Sequence, residues 1–335
     1  MGRGLAQPVD RSAGLGPYVV GRLMQAVPLL LGVIVVNFLL IQLAPGDPTT
    51  VLVGDYPAPA EYVAQVRHDF GLDEPVPVRL ASYLGQLAHG NLGYSFANRQ
   101  SVAGLIGERL GSTLELTLTA LVAATIAGIL LGVLAAVKRG GAADGGAQVV
   151  SLAGFSVPEF WLGQILIVVF AVVLGWLPSQ GNRSVRSTAQ GLDAVLEALR
   201  YLLLPALALS FRYLALISRL TRASMLEVLN ADYILAARAR GAPERTVLFA
   251  HALRNAAAPI ITVVGYNLGF IFAGSALIET VFGWPGIGRL LFDSVSKRDY
   301  PVLLGVLLLV SATVVLVNLI TDVVHALIDP RVRYR

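Results

Sequence analysis

The chain has 335 residues, of which 56% are hydrophobic and 14% charged, with a formal net charge of +4. Soluble domains carry about 25% charged residues, so a water-exposed surface cannot be built over the whole chain; soluble globular, intrinsically disordered and secreted disulfide-scaffold classes are excluded. With no cysteine present, disulfides, thiolate zinc sites, iron–sulfur clusters and cysteine nucleophiles are excluded too, and the absence of a clustered basic face argues against a nucleic-acid partner.

A membrane span needs about 20 predominantly apolar residues. Stretches free of Asp, Glu, Lys and Arg run over 23–46, 116–137, 160–182, 255–278 and 300–321, each rich in the Leu, Val, Ile, Ala and Gly that suit lipid contact and helix packing. A shorter apolar stretch, 201–217, is broken only by Arg212. Arg3, Arg11 and Arg22 near one end and Arg331, Arg333 and Arg335 at the other place both termini in the cytoplasm by the positive-inside rule. An even number of spans is then required, so 201–217 is predicted to cross as well. With six spans, the cytoplasmic segments 1–22, 138–148, 218–258 and 329–335 hold 14 Lys+Arg against 6 Asp+Glu, and the outer segments 45–112, 177–200 and 281–300 hold 10 against 11. The first span is too long for a signal-peptide core, and Gln42–Asp47 offers no small-x-small cleavage site.

The expected organisation is a cytoplasmic tail over 1–17, a first span over 18–44, an extracytoplasmic loop over 45–112, a five-helix core over 113–328 and a cytoplasmic end over 329–335. Within the long loop, Tyr62, Val63, Val66 and Phe70 predict a helix stopped by Gly71. Leu80, Tyr83, Leu84 and Leu87 predict a second helix over 78–88, after the turn marked by Pro75 and Pro77. Loops this long are more often functional than idle, and docking of an extracytoplasmic partner is the expected role.

The cytoplasmic segment 218–258 carries the sharpest local signal. Asp232 suits a helix start, residues 233–240 continue it, and Gly241 fits the left-handed position after a helix. Pro243 and Glu244 then suit the first turn of a new helix. The spacing predicts a helix–glycine–helix corner before the fifth span, read as a partner-docking element.

Chemistry-bearing motifs are missing. No G-x-x-x-x-G-K-[ST] is present, and neither Lys138 nor Lys297 follows a glycine, so the chain is not itself a P-loop ATPase. No H-E-x-x-H joins any of His68, His89, His251 and His325. Ser275 lies outside any G-x-S-x-G elbow, which disfavours an intramembrane enzyme. Ionisable residues within or beside the spans are few: Glu115, Glu159, Arg212, Glu279 and Asp322. Such groups face a bundle interior or water. Glu159, Arg212, Glu279 and Asp322 are therefore the candidates for a translocation path or gate, with a structural role as the alternative for each.

Ala236-Ala237-x-x-x-Gly241, in a cytoplasmic loop before the last two spans, resembles the "EAA" loop of binding-protein-dependent ABC importer permeases. Leu235 stands in the Glu position, His251 in the Ile position and Arg254 in the Pro position, departures typical of the dipeptide/oligopeptide branch. Gln42–Pro48, Phe155–Trp161, Glu279–Gly288, Arg298–Pro301 and Asp329–Tyr334 also look like that branch's first membrane subunit. The resemblance spans about 18–335 and implies an all-α membrane protein with the six transmembrane helices of the type I ABC importer permease fold, in a bacterial plasma membrane. It implies a second, homologous permease, two ATPase subunits and an extracytoplasmic substrate-binding protein as partners, with di- or oligopeptides as substrate and nickel, nickel chelates or glutathione as the alternatives. ATP and Mg would be bound by the partner ATPases, and no cofactor by this chain. Asp232, Ala236, Ala237, Arg238, Arg240, Gly241 and Ala242 are implied to couple to the ATPases, with Arg238 and Arg240 meeting ATPase carboxylates.

Overall fold

A computed structural model describes residues 15–43, 59–69, 73–95, 97–184, 188–269 and 275–328. The chain is helical almost throughout. Helix α1 covers Leu15–Leu43. Two short helices, α2 (Ala60–Asp69) and α3 (Val76–Ala88), match the pair expected in the long loop. A strand pair, β1 (Tyr94–Ser95) and β2 (Gln100–Ser101), follows with antiparallel register. Helix α4 covers Val102–Val137 and α5 Ala142–Ser156. Helix α6 covers Glu159–Leu166 and continues as a π-helical turn over Ile167–Val173. Helix α7 covers Leu192–Leu229 and α8 Asp232–Ala239. Helix α9 begins at Glu244–Thr246, passes through a π-helical stretch at Val247–Leu253 and ends as Arg254–Gly269. Helices α10 (Ala276–Val281), α11 (Ile287–Lys297) and α12 (Tyr300–Ile328) complete the described chain. The proposed stop at Gly71, the motif at 45–48 and both terminal tails lie outside the described residues.

Among the described residues, five helices are long and apolar enough to cross a membrane, and the pair α5–α6, bent by 104°, makes a sixth if counted as one span. Tertiary contacts support that count. Arg22 on α1 meets Asp322 on α12, while Phe38, near the far end of α1, stacks on Tyr83 of α3. The bundle thus has a corner end, where α8 sits, and a hairpin end, where the strands sit. Helix α4 arrives at the corner end and α7 departs from the hairpin end, so α5–α6 must traverse the bundle between them.

Four boundaries differ from those expected. The second span begins at Val102, inside the segment read as outer loop: Ser101 caps it by accepting a hydrogen bond from the Gly104 N–H at 3.1 Å, and Val102, Leu105 and Ile106 are buried. Glu115 ended the uncharged stretch, and Glu108 and Arg109 lie beyond it, yet none of the three ends the helix. The third pass starts at Ala142, within the expected 138–148 connector, breaks at Val157–Pro158 and stops at Val173 rather than at 182. Proline lacks an N–H and disfavours helical backbone at the preceding residue, and Val157 is accordingly extended. The fourth pass is no marginal 17-residue span. At 1.5 Å per residue, the 38 residues of α7 run about 57 Å, so the helix crosses and projects beyond the membrane. The fifth helix starts at Glu244, so the second arm of the corner and the fifth span are one continuous element.

Packing follows membrane rules, with small residues letting backbones approach. A Cβ on Gly132 of α4 would lie 2.6 Å from the Ser218 carbonyl oxygen of α7. The larger core runs through α4, α7, α10, α11 and α12, centred on Leu116, Leu209, Phe282 and Trp284. A second core at the corner end joins Val133 and Ala136 of α4 and Met225 of α7 to Ile234 and Ala237 of α8 and Val247 and Ala252 of α9.

Candidate functional site

The corner forms because α8 ends in a closed hydrogen-bonded cap. The Ala242 N–H donates to the Ala237 carbonyl at 3.2 Å and the Gly241 N–H to the Arg238 carbonyl at 2.9 Å. This is the Schellman pattern, which needs left-handed backbone at the residue after the cap. Gly241 supplies it, with φ +80 and open space where a Cβ would stand. The next helix opens on Pro243, whose carbonyl accepts from the N–H groups of Thr246 and Val247.

Burial divides α8 into two faces. Ile234 and Ala237 point into the second core, while Asp232, Ala236, Arg238, Arg240 and Gly241 are exposed. Ala242 is half-buried against the same core. Asp232 occupies the first helical turn but makes no side-chain cap; its carboxylate acts on the positive helix end through the field alone. Exposed Tyr233, Leu235 and Phe249 surround the corner with apolar surface.

The two corner arginines differ. Arg238 forks onto Glu244 across the glycine, Nη2 to Oε1 at 2.7 Å and Nε to Oε2 at 3.2 Å. This bond raises the Arg238 guanidinium above its ordinary value and ties the two arms of the corner together. Arg240 has no such partner among the described residues. Of the pair expected to meet a partner's carboxylates, the structure therefore engages one in a surface ion pair within the chain and leaves the other open.

Behind the corner, Arg222 of α7 forms two hydrogen bonds to Asp144 of α5, at 2.6 and 2.8 Å. Asp144 is 2% exposed and also accepts from the Gly140 N–H and the Gln148 amide. The sequence reading did not pair these residues. Each is one of several charges in its connecting segment, and nothing in the sequence relates positions 78 residues apart.

The four candidate path residues do not converge. Asp322 is held by Arg22 at 3.3 Å, between α1 and α12. Glu279 is fully buried at the hairpin end. Its Oε1 accepts from the Thr113 hydroxyl at 2.8 Å and the Ser275 hydroxyl at 3.0 Å, and its Oε2 from the Arg289 N–H at 2.9 Å. A carboxylate there faces the positive end of α11. Gly286 is required beside it, because a Cβ would fall 2.3 Å from the carboxyl group. Glu159, half-buried at the start of α6, and Arg212, exposed on α7, sit on two helices packed together, within electrostatic range of each other.

Other motifs found by resemblance are structural joints. Trp284 is fully buried and donates from Nε1 to the Ser112 carbonyl at 2.8 Å. Asp299 is 3% exposed and accepts from the Ser95 hydroxyl at 2.5 Å and the Asn98 amide at 3.3 Å, pinning the strand pair to the start of α12. Among the described residues no group of His, Asp and Glu is placed to hold a metal ion.

Comparison with known proteins locates this architecture. Residues 128–334 match the family described as binding-protein-dependent transport system inner membrane component, and residues 16–117 match that system's N-terminal membrane component. The chain is 42% identical over 334 residues to the di/tripeptide transport system permease protein DppB of Pseudomonas aeruginosa, covering 95% of this chain and 99% of that protein. It is 42% identical over 320 residues to the probable peptide ABC transporter permease protein y4tP of Sinorhizobium fredii, covering 96% and 100%. Among solved structures, a chain of the MetNI methionine ABC transporter in inward-facing conformations superposes with a TM-score of 0.51 at 19% identity, over 68% of this chain and 97% of that one. That likeness concerns the fold alone.

Proposed function

The chain belongs to the binding-protein-dependent transport system inner membrane component family, and on that premise we propose that it forms half of the translocation pathway of an ATP-driven importer of di- or oligopeptides. The peptide assignment is supported by relatives over 40% identical across nearly the whole chain that are named for peptide transport. The other half is a second, related permease. Two ATPase subunits, which hold ATP and Mg, bind at the corner end, facing the cytoplasm of a bacterial cell. A substrate-binding protein docks at the hairpin end, against the loop that carries α2 and α3.

The observation that carries the coupling role is the continuity of the corner with a span. The exposed face of α8 is joined through the Schellman cap and the Arg238–Glu244 fork to α9, which has no loop between Glu244 and Gly269. A displacement of α8 by a closing ATPase pair is therefore delivered to the fifth membrane helix as a rigid-body movement. The buried Ile234 and Ala237 carry the same displacement into α4 and α7.

Charge reversal at the outward arginine tests this reading. In the complex co-expressed with its partner subunits, Arg240→Glu is expected to weaken co-purification of the ATPases and lower ATP-dependent uptake of labelled dipeptide. Arg238→Gln, which removes an intramolecular bond, is expected to change both less. Full ATPase retention and uptake in Arg240→Glu would overturn the assignment of this face.

A further inference from the structure

We propose that Arg212 and Arg219 of α7, with Glu159 of α6, form a stepped release path for the charged ends of a peptide: its carboxylate passes from Arg212 to Arg219 while Glu159 receives its ammonium group. The proposal rests on the peptide-import reading above and adds the chemistry by which the chain handles its substrate.

The placement comes from helix geometry. Positions 212 and 219 are seven residues apart, so they share a face about 10 Å apart along the axis. Both side chains are exposed, and among the described residues neither is hydrogen-bonded to a carboxylate. Arg222, three residues further on, is the contrast: it is committed to buried Asp144 by two hydrogen bonds. Beyond Arg200 near its start, the same helix thus carries one structural arginine, Arg222, and two with free donor capacity, Arg212 and Arg219.

The opposite wall is set by the break in the third pass. The 104° turn at Val157–Pro158 presents Phe155 on one side and Glu159 on the other. The Arg219 guanidinium carbon lies 4.6 Å from the centre of the Phe155 ring, which orients the cation without neutralising it. Glu159 opens α6, which packs against α7, and so stands within electrostatic range of Arg212. Beside Arg219 a cavity of about 540 Å³ opens between α5 and α7, with Gln148, Ser151, Ser218 and Arg219 among its walls.

Two features favour a zwitterionic ligand. A guanidinium within an apolar span is costly against lipid and belongs beside water or a polar partner. A carboxylate stands near the first cation, so the path matches a molecule with both charges rather than a simple anion. Exposed, separated contacts of this kind hold a solute weakly at each step, as passage requires.

The test uses the complete transporter in proteoliposomes of phosphatidylcholine with defined fractions of phosphatidylglycerol. Uptake of a panel of di-, tri- and tetrapeptides is measured for the unaltered complex and for Arg212→Gln, Arg219→Gln and the Lys variants at both positions. Each Gln variant is expected to lower initial uptake by about tenfold, the scale of one lost charge-assisted hydrogen bond, and each Lys variant to restore most of it, which separates a charge effect from misfolding. Arg219→Cys, in a chain with no natural cysteine, is expected to react faster with an anionic than with a cationic methanethiosulfonate, and to be protected by imported peptide. Unchanged uptake in both Gln variants of an importing complex would overturn the path while leaving the peptide-import reading standing. Protection that follows phosphatidylglycerol content and ignores peptide would assign the arginines to lipid headgroups and overturn it as well. An unaltered complex that imports none of the panel would overturn both readings.

Discussion

Glu279 and Thr113 are 166 positions apart in the chain and joined by a 2.8 Å hydrogen bond in a fully buried site. The same Thr113 oxygen accepts from the Ile287 N–H at 2.7 Å, so one threonine links α4, the carboxylate and the first turn of α11. The span ends at the hairpin end, which a hydropathy profile treats as loops, are here locked to the core by a satisfied polar network.

This network yields a stability prediction. Glu279→Ala takes the acceptor from the buried Thr113 hydroxyl, at about 1–3 kcal/mol for an orphaned buried donor, and also removes the bonds from the Ser275 hydroxyl and the Arg289 N–H. A markedly lower thermal unfolding temperature of the detergent-purified chain is expected, with Glu279→Gln intermediate because its carbonyl oxygen still accepts. An unaltered unfolding temperature in the Ala variant would contradict the network.

At the corner, the prediction isolates backbone from packing. A Cβ at Gly241 meets nothing within 4 Å, so any defect in Gly241→Val comes from the positive φ, at roughly 1–3 kcal/mol for a residue that avoids it. Gly241→Asn, which tolerates that conformation, is expected to keep peptide uptake near the unaltered level while Gly241→Val loses ATP coupling. Equal behaviour of the two variants would show that the left-handed turn is not what coupling uses.

Topology is tested by labelling. Ser82 on α3 and Thr246 on α9 are exposed and stand at opposite ends of the bundle. In intact cells Ser82→Cys is expected to react with an impermeant maleimide and Thr246→Cys to react only after permeabilisation. The reverse pattern would invert the orientation and with it the docking assignments.

The long loop divides into two parts with different expected responses. The strand pair 94–95 and 100–101 is pinned through Ser95 to Asp299, and α4 begins at Val102, so removing the whole of 49–108 would cut into the core. Helices α2 and α3 stand outside it, with no fully buried residue in α3. Replacing 60–88 by a Gly/Ser linker is therefore expected to preserve thermal stability and basal ATP hydrolysis and to abolish stimulation by loaded binding protein. Retained stimulation with normal uptake would show that α2 and α3 do not receive that protein.

Sequence alone determined the features that depend on local chemistry. Apolar stretches located the membrane helices because a span must bury about 20 residues in hydrocarbon. The placing of Gly241 located the corner because a helix end needs one left-handed residue. Ala237 and Gly241 carried the family resemblance in that same loop. Tertiary structure alone decided where the helices begin and which charges meet. Glu115 ends an apolar stretch without ending α4, which continues back through Arg109 and Glu108 to Val102, since a helix stops at its hydrogen-bonded cap rather than at the lipid boundary. Asp322, Glu279, Glu159 and Arg212 look alike as isolated charges in apolar sequence. The fold gives the first an arginine, the second hydroxyls and a helix end, and sets the last two on the packed helices α6 and α7, because the partner of a buried charge is set by helix packing across the bundle and not by its neighbours in the chain.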